Sequence, residues 1–172
     1  LESLNLESNQ LTDAAITSFS QKVLCKKTKL FELWLSGNYL STTSAMRIGK
    51  AIVTGSLRTL HFSGTLIDGK GASYLAESFM ARPSEESSSL FLLNNPGISL
   101  DVQTDIINQC VLNGKVKVAL PCLFGDGNIQ NKALMQTYAN MLDESLLTFS
   151  KVTKPCSAGS SLLPIYFVVI KE

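Results

Sequence analysis

The apolar residues of this chain recur with a long period. Copies of one pattern begin at residues 1, 30, 57 and 87, so successive copies lie 27 to 30 residues apart. They read L-E-S-L-N-L-E-S-N-Q-L, L-F-E-L-W-L-S-G-N-Y-L, L-R-T-L-H-F-S-G-T-L-I and S-S-S-L-F-L-L-N-N-P-G-I, and a fainter fifth copy includes Lys115–Ala119. Such periods are typical of stacked units that bury their apolar faces against one another. The sequence therefore predicts a solenoid.

Each copy combines a strand signal with a helix signal. Apolar residues alternate at its centre, as in Leu33 and Leu35, which predicts a short strand with one buried face. Apolar residues then recur at spacings of three and four, as in Ala45, Ile48 and Ile52, which predicts an amphipathic helix. We therefore predict an α/β solenoid with a curved parallel sheet inside and helices outside.

Polar residues mark the turns and the helix starts. An asparagine follows the strand in three copies, at positions 9, 38 and 95, where its amide can bond the turning backbone. Thr65 takes this place in the third copy, and we expect that turn to be weaker. Side chains suited to accept from the first amides of a helix are Thr12, Asp13, Ser41, Asp68 and Ser99.

The pattern L-x-x-L-x-L-x-x-N-x-L resembles the leucine-rich repeat, and its four clear copies and fainter fifth cover residues 1–120. Its long units and the stretch Asp68–Ala76 resemble the ribonuclease-inhibitor-like class of these repeats. The hexapeptide Leu4–Asn9 is similar to a repeat of the C-terminal domain of tropomodulin, an actin pointed-end capping protein. This second resemblance implies an actin-regulating domain.

The repeats are predicted to occupy residues 1–125, and residues 126–172 a C-terminal cap. A turn cluster, Gly125–Asn128, separates the two parts. The cap is expected to contain a helix, a loop and a strand, over Asn128–Ser150, Thr153–Ser161 and Leu162–Ile170. It would cover the last repeat and its unpaired sheet edge. A small second functional unit, or the start of a larger domain, is the alternative.

Charge and cysteine spacing exclude several classes of protein. The net charge of +1 argues against nucleic-acid binding and against a polybasic membrane anchor. The six-residue apolar run Ile165–Ile170 is too short to span a bilayer. Four separated cysteines without a C-x-x-C pair favour a reducing compartment over a disulfide framework or a metal finger. We expect a cytoplasmic, monomeric fragment of a longer chain, since the pattern is already running at Leu1.

Residues suited to catalysis are scarce. His61 is the one histidine, and its strand position offers no evident nucleophile partner or pocket. Residues 64–71 approach the phosphate-binding pattern G-x-x-x-x-G-K-[ST], but Gly71 stands where the hydroxyl is needed. We therefore predict no enzyme activity, no cofactor and no metal site.

The strand register predicts which side chains face outward. Residues between the buried leucines point to the concave face, and the central column contains Trp34, His61 and Phe91. Adjacent strands lie about 4.8 Å apart, so these rings should form one ladder. Clustered exposed aromatic groups mark contact sites. We predict that this ladder binds a protein or peptide, with Glu32 and Lys117 setting its orientation through charge.

The sequence thus favours a noncatalytic protein-interaction module. Three alternatives stay open: an actin-regulating domain like that of tropomodulin, the recognition part of a larger enzyme, sensor or bacterial effector, and an enzyme whose catalytic part is missing or lies within residues 126–172.

Overall fold

The structure is a computed structural model that describes residues 1–24, 29–84, 86–120, 147–152 and 165–170. The chain divides into two compact units, Leu1–Val118 and Ala119–Glu172. The predicted boundary after residue 125 lies outside the described residues and stays a prediction.

Five parallel strands form the sheet of the repeats, in the same order as in the chain. They are β1 Ser3–Asn5, β2 Glu32–Trp34, β3 Thr59–His61, β4 Ser88–Phe91 and β5 Val116–Ala119. The inward leucines of the three central strands, Leu33, Leu60 and Leu90, are fully buried. They are also register partners on neighbouring strands, so one continuous apolar row runs across the sheet.

A helix follows each of the first four strands. The helices are α1 Asp13–Phe19, α2 Thr42–Thr54, α3 Gly69–Met80 and α4 Leu100–Asn113, and α1 continues into a π-helical turn, Ser20–Leu24. Helices that are neighbours in the chain pack side by side. Their apolar stripe, which includes Ile48, Ile52 and Leu75, is fully buried. The predicted α/β architecture, with a parallel sheet and one layer of helices, is confirmed.

The predicted helix starts are only partly capped by their own side chains. Ser41 accepts a hydrogen bond from the backbone N–H of Thr43, and Asp68 accepts one from that of Gly71. Thr12 and Ser99 lie at the helix starts as predicted, but their side chains make no capping bond, so the predicted bond was wrong for these two residues. At α1 the nearest carboxylate, that of Asp13, is bonded instead to the next repeat.

Each of the first four strands leaves the sheet through a residue in the left-handed region. Four equivalent positions of the repeat, Ser8, Gly37, Gly64 and Asn94, have φ of +54°, +69°, +60° and +56°. Glycine adopts this conformation without cost, and asparagine tolerates it better than most residues. The shared backbone turn explains why two copies carry glycine directly before the asparagine position.

The predicted role of the asparagines is confirmed at Asn38 and Asn95. The side-chain oxygen of Asn38 accepts from the backbone N–H groups of Asn9 and Leu11 at 3.0 and 2.9 Å. Its amide donates to the carbonyls of Leu6 and Leu35 at 2.9 and 2.8 Å. One buried side chain therefore satisfies backbone groups of two successive turns.

The turn at Thr65 is completed by the following repeat. The backbone N–H and the hydroxyl of Thr65 both donate to the side-chain oxygen of Asn95, at 2.7 and 2.9 Å. The amide of Asn95 donates to the carbonyl of Phe62 at 2.9 Å. The side chain of Asn95 thus bonds the turn at Thr65. That this turn is weaker than the others stays a prediction.

Beyond residue 120, the described residues form a pair of antiparallel strands, β6 Leu147–Val152 and β7 Ile165–Ile170. The strand expected within Leu162–Ile170 is confirmed over β7. The helix expected to reach Ser150 was wrong for residues 147–150, because these pair in register with β7. Short apolar runs are compatible with either period, and the pairing partner decides between them. Residues 128–146 and the predicted loop lie outside the described residues.

Candidate functional site

The strands present alternate side chains on the face opposite the helices, which we call the open sheet face. Trp34, His61 and Phe91 end β2, β3 and β4, and each follows a fully buried leucine. All three side chains are partly exposed. The alternation that buries the leucines therefore holds the three rings outside the core.

The register places these rings in one row. Asn5 pairs with Trp34, Trp34 with His61, and His61 with Phe91. The ring centroids of Trp34 and His61 lie 3.6 Å apart with planes at 9°, and those of His61 and Phe91 lie 4.2 Å apart at 4°. The predicted ladder is thus confirmed as a continuous stack in which the imidazole lies between two aromatic rings.

A carboxylate lies beside the stack. An oxygen of Glu32 is 3.7 Å from the Nε2 atom of His61, and the other accepts a hydrogen bond from the hydroxyl of Ser3 at 3.0 Å. Burial lowers the pKa of His61, and the charges of Glu32 and Glu7 oppose this effect without overcoming it. The imidazole is therefore neutral at pH 7, which suits its position between two rings.

The geometry offers no catalytic arrangement at these residues. A nucleophilic serine would have to donate to the histidine, whereas Ser3 donates to Glu32 and so ties up the carboxylate. Within the described ranges, no group of three or more His, Cys, Asp or Glu side chains could hold a metal ion. The phosphate-loop-like stretch is a turn and a helix start, in which Thr65 bonds Asn95 and Asp68 caps α3.

Lys117, the fifth residue of the predicted site, lies in β5 and is partly exposed. Since β5 is the neighbour of β4, Lys117 belongs to the same sheet as the ring stack. The structure places His61 in contact with Trp34, Phe91 and Glu32, and it places Lys117 in the strand next to Phe91. Their role in binding stays a prediction.

Sequence reasoning missed two features near the site. One is the approach of Glu32 to His61, which lies diagonally across from it on the neighbouring strand, whereas Ser3 is the direct register partner of Glu32. The other is an exposed apolar pair at the position directly after the asparagine position of the repeat, which Thr65 fills in the third copy. Tyr39 and Leu66 are 60% and 62% exposed, and they lie at equivalent positions of adjacent repeats. Aligning the copies and comparing the residues at this position would have identified the pair from the sequence.

No model of a known protein family matches this sequence, and no curated protein matches it. Solved structures do. The structure of leiomodin-1 actin-binding site 2 is similar with a TM-score of 0.62 at 12% identity, over 81% of this chain and 79% of that chain. The C-terminal domain of tropomodulin from Caenorhabditis elegans is similar with a TM-score of 0.57 at 14% identity, over 82% of this chain and 83% of that chain. At these identities the likeness shows a shared fold.

None of the helices in the described ranges combines the length and the apolar character needed to cross a membrane.

Proposed function

We propose that this protein is a noncatalytic interaction module that binds a protein or peptide on the open sheet face. Trp34, His61 and Phe91 anchor the partner, and Glu32 and Lys117 orient it through charge. The observation that carries the proposal is the stack of three partly exposed rings on the sheet face opposite the helices. Aromatic groups of this kind contribute a large share of interface energy.

The stack also defines how a partner makes contact. The rings cover each other's faces, so what they offer along the sheet is a row of ring edges, plus the outer faces of the two end rings, Trp34 and Phe91. An edge row is suited to apolar side chains and to the faces of a partner's aromatic rings. The proposal includes a cytoplasmic location and a monomeric chain.

Removing the outer rings of the stack tests the proposal. The double variant Trp34→Ala, Phe91→Ala should recover a specific partner at least tenfold less well in affinity capture, because both anchors are lost. Its unfolding temperature should change by only a few degrees, since neither ring belongs to the buried core. Captured proteins are identified by mass spectrometry and then tested in purified form.

The matched control is the double variant Tyr39→Ala, Leu66→Ala, which removes two exposed apolar groups from the turns. It should retain the partner. Equal recovery by the ring variant and the unchanged protein would show that the open sheet face is not the binding surface.

An actin-regulating function is the second candidate. The shared fold with leiomodin-1 actin-binding site 2 favours it, as does the similarity of Leu4–Asn9 to a tropomodulin repeat. In cosedimentation with actin filaments, the unchanged chain should then pellet in a saturable manner. If it stays in the supernatant at about 10 μM, a concentration at which weak interactions are detectable, this candidate is wrong and the general proposal stands. The enzyme, sensor and effector alternatives remain predictions, tested by an activity screen of a longer chain.

A further inference from the structure

The ring stack ends at Trp34. His61 is stacked on both faces and its side chain is 15% exposed. Phe91 is the ring at the other end of the stack. Among the described residues, the indole stacks on a single ring. Its second face is directed toward β1, where the register partner is Asn5.

Asn5 does not extend the stack. Its side chain is short, and its amide oxygen accepts a hydrogen bond from the backbone N–H of Glu7 at 2.9 Å, which turns it along its own strand. An asparagine reaches far less distance from the sheet than an indole does. Within the part of the chain that the structure describes, no second ring stacks on this side of Trp34, and we call this side of the indole the free face.

Two carboxylates flank this free face. Glu32 lies two residues before Trp34 on the same side of β2, and its side chain is 36% exposed. Glu7 follows β1 and is partly exposed. Burial lowers the pKa of His61, and the charges of both carboxylates act in the opposite direction, in keeping with their positions beside the stack. The end of the stack is thus acidic, and the complementary ligand is a cation.

We propose that the guanidinium of a partner arginine forms the fourth layer of this stack, lying on the free face of Trp34 and bonding to Glu32 and Glu7. This inference rests on the proposed function, because it names the chemistry that the open sheet face recognises. A guanidinium is planar and delocalised, stacks on aromatic faces and pairs with carboxylates through two parallel hydrogen bonds. A lysine ammonium can supply the charge but not the flat layer.

Because Trp34 is the one tryptophan of the chain, its fluorescence reports directly on this site. The probes are three blocked tripeptides. They are acetyl-Gly-Arg-Gly-amide, the same peptide with citrulline, which keeps the planar shape but lacks the charge, and the same peptide with lysine, which keeps the charge but lacks the planar shape. At pH 7.5 and low salt, the arginine peptide should change the emission in a saturable manner at millimolar concentration. The citrulline peptide should bind at least fivefold more weakly, and the lysine peptide should fall between them.

The variant Glu7→Gln, Glu32→Gln should lower the affinity for the arginine peptide at least fivefold while leaving Trp34 in place. The control variant Glu77→Gln, Asp101→Asn removes the same charge from exposed positions on α3 and α4 and should bind the peptide as the unchanged protein does. Equal responses to arginine and citrulline, or no effect of the two glutamine substitutions, would overturn the inference.

The outcome is separable from that of the proposed function. If the ring variant loses its partner but the arginine peptide does not bind, the open sheet face is the interface and only the arginine is wrong. If the arginine peptide binds with the expected dependence on Glu7 and Glu32 but the ring variant keeps its partner, the cation site exists and the partner binds elsewhere.

Discussion

Replacing Asn38 with alanine is expected to lower the free energy of unfolding by roughly 3–5 kcal/mol. The substitution removes the side-chain partner of five backbone groups. These are the N–H groups of Asn9 and Leu11, the carbonyls of Leu6 and Leu35, and, through a longer bond of 3.4 Å, the carbonyl of Ser36. A buried polar group that loses its partner costs about 1–3 kcal/mol, and water entering from the turn offsets part of the total. Urea denaturation followed by circular dichroism measures the change.

Asn9 provides the matched control, because it is the equivalent residue of the preceding copy. It is exposed, and its side-chain amide donates one hydrogen bond, to the carbonyl of Glu7 at 2.9 Å. The variant Asn9→Ala keeps the backbone N–H that bonds Asn38, so it should cost about 1 kcal/mol or less. If the two alanine variants were equally stable, the asparagine row would not hold the turns together.

The repeat period made most of the sheet predictable. Once Leu33, Leu60 and Leu90 are aligned by the pattern, parallel pairing leaves one register, and that register places Trp34, His61 and Phe91 side by side. The same alignment located Asn38 and Asn95 at the turns. Predictions of this kind succeed because every copy repeats the same local constraint. A wrong alignment would have to fit the apolar pattern of several copies at once.

The features that escaped prediction depend on single contacts between elements. The strand β6 at residues 147–150 is set by pairing with β7, which the spacing of its own apolar residues does not encode. The approach of Glu32 to His61 depends on side-chain rotamers on adjacent strands. The bonds from Asp13 to the start of α2 cross from one repeat to the next at positions where the pattern carries no consensus residue.

Those cross-repeat bonds give Asp13 a large expected effect. One carboxylate oxygen accepts from the backbone N–H of Ser41 at 2.9 Å and from the hydroxyl of Ser44 at 2.5 Å, and the other accepts from the hydroxyl of Ser41 at 2.6 Å. Ser44 is fully buried, so its hydroxyl has no access to water. The variant Asp13→Ala should therefore lower the free energy of unfolding by about 2–3 kcal/mol at pH 7.

Asp101→Ala is the control for helix position and charge. Asp101 also lies in the first turn of its helix, and it is exposed, so both variants lose one negative charge at a helix N-terminus. Removing that favourable interaction costs about 0.3–1 kcal/mol. The remainder of the Asp13 effect then belongs to the bonds with Ser41 and Ser44.

The pH dependence of the Asp13 effect identifies its origin. Burial, the largest single influence, raises the pKa of Asp13, but the hydrogen bonds from Ser41 and Ser44 together outweigh it and hold the pKa below the ordinary value of 3.8. A carboxylate whose pKa is lowered on folding stabilises the folded state fully when the pH is above its pKa in the unfolded state. This stabilisation is lost as the pH falls through its pKa in the folded state. The difference in free energy of unfolding between the unchanged protein and Asp13→Ala should thus be largest at pH 7 and shrink below about pH 4. A difference that stayed constant in acid would show that Asp13 acts through packing and not through its charged hydrogen bonds.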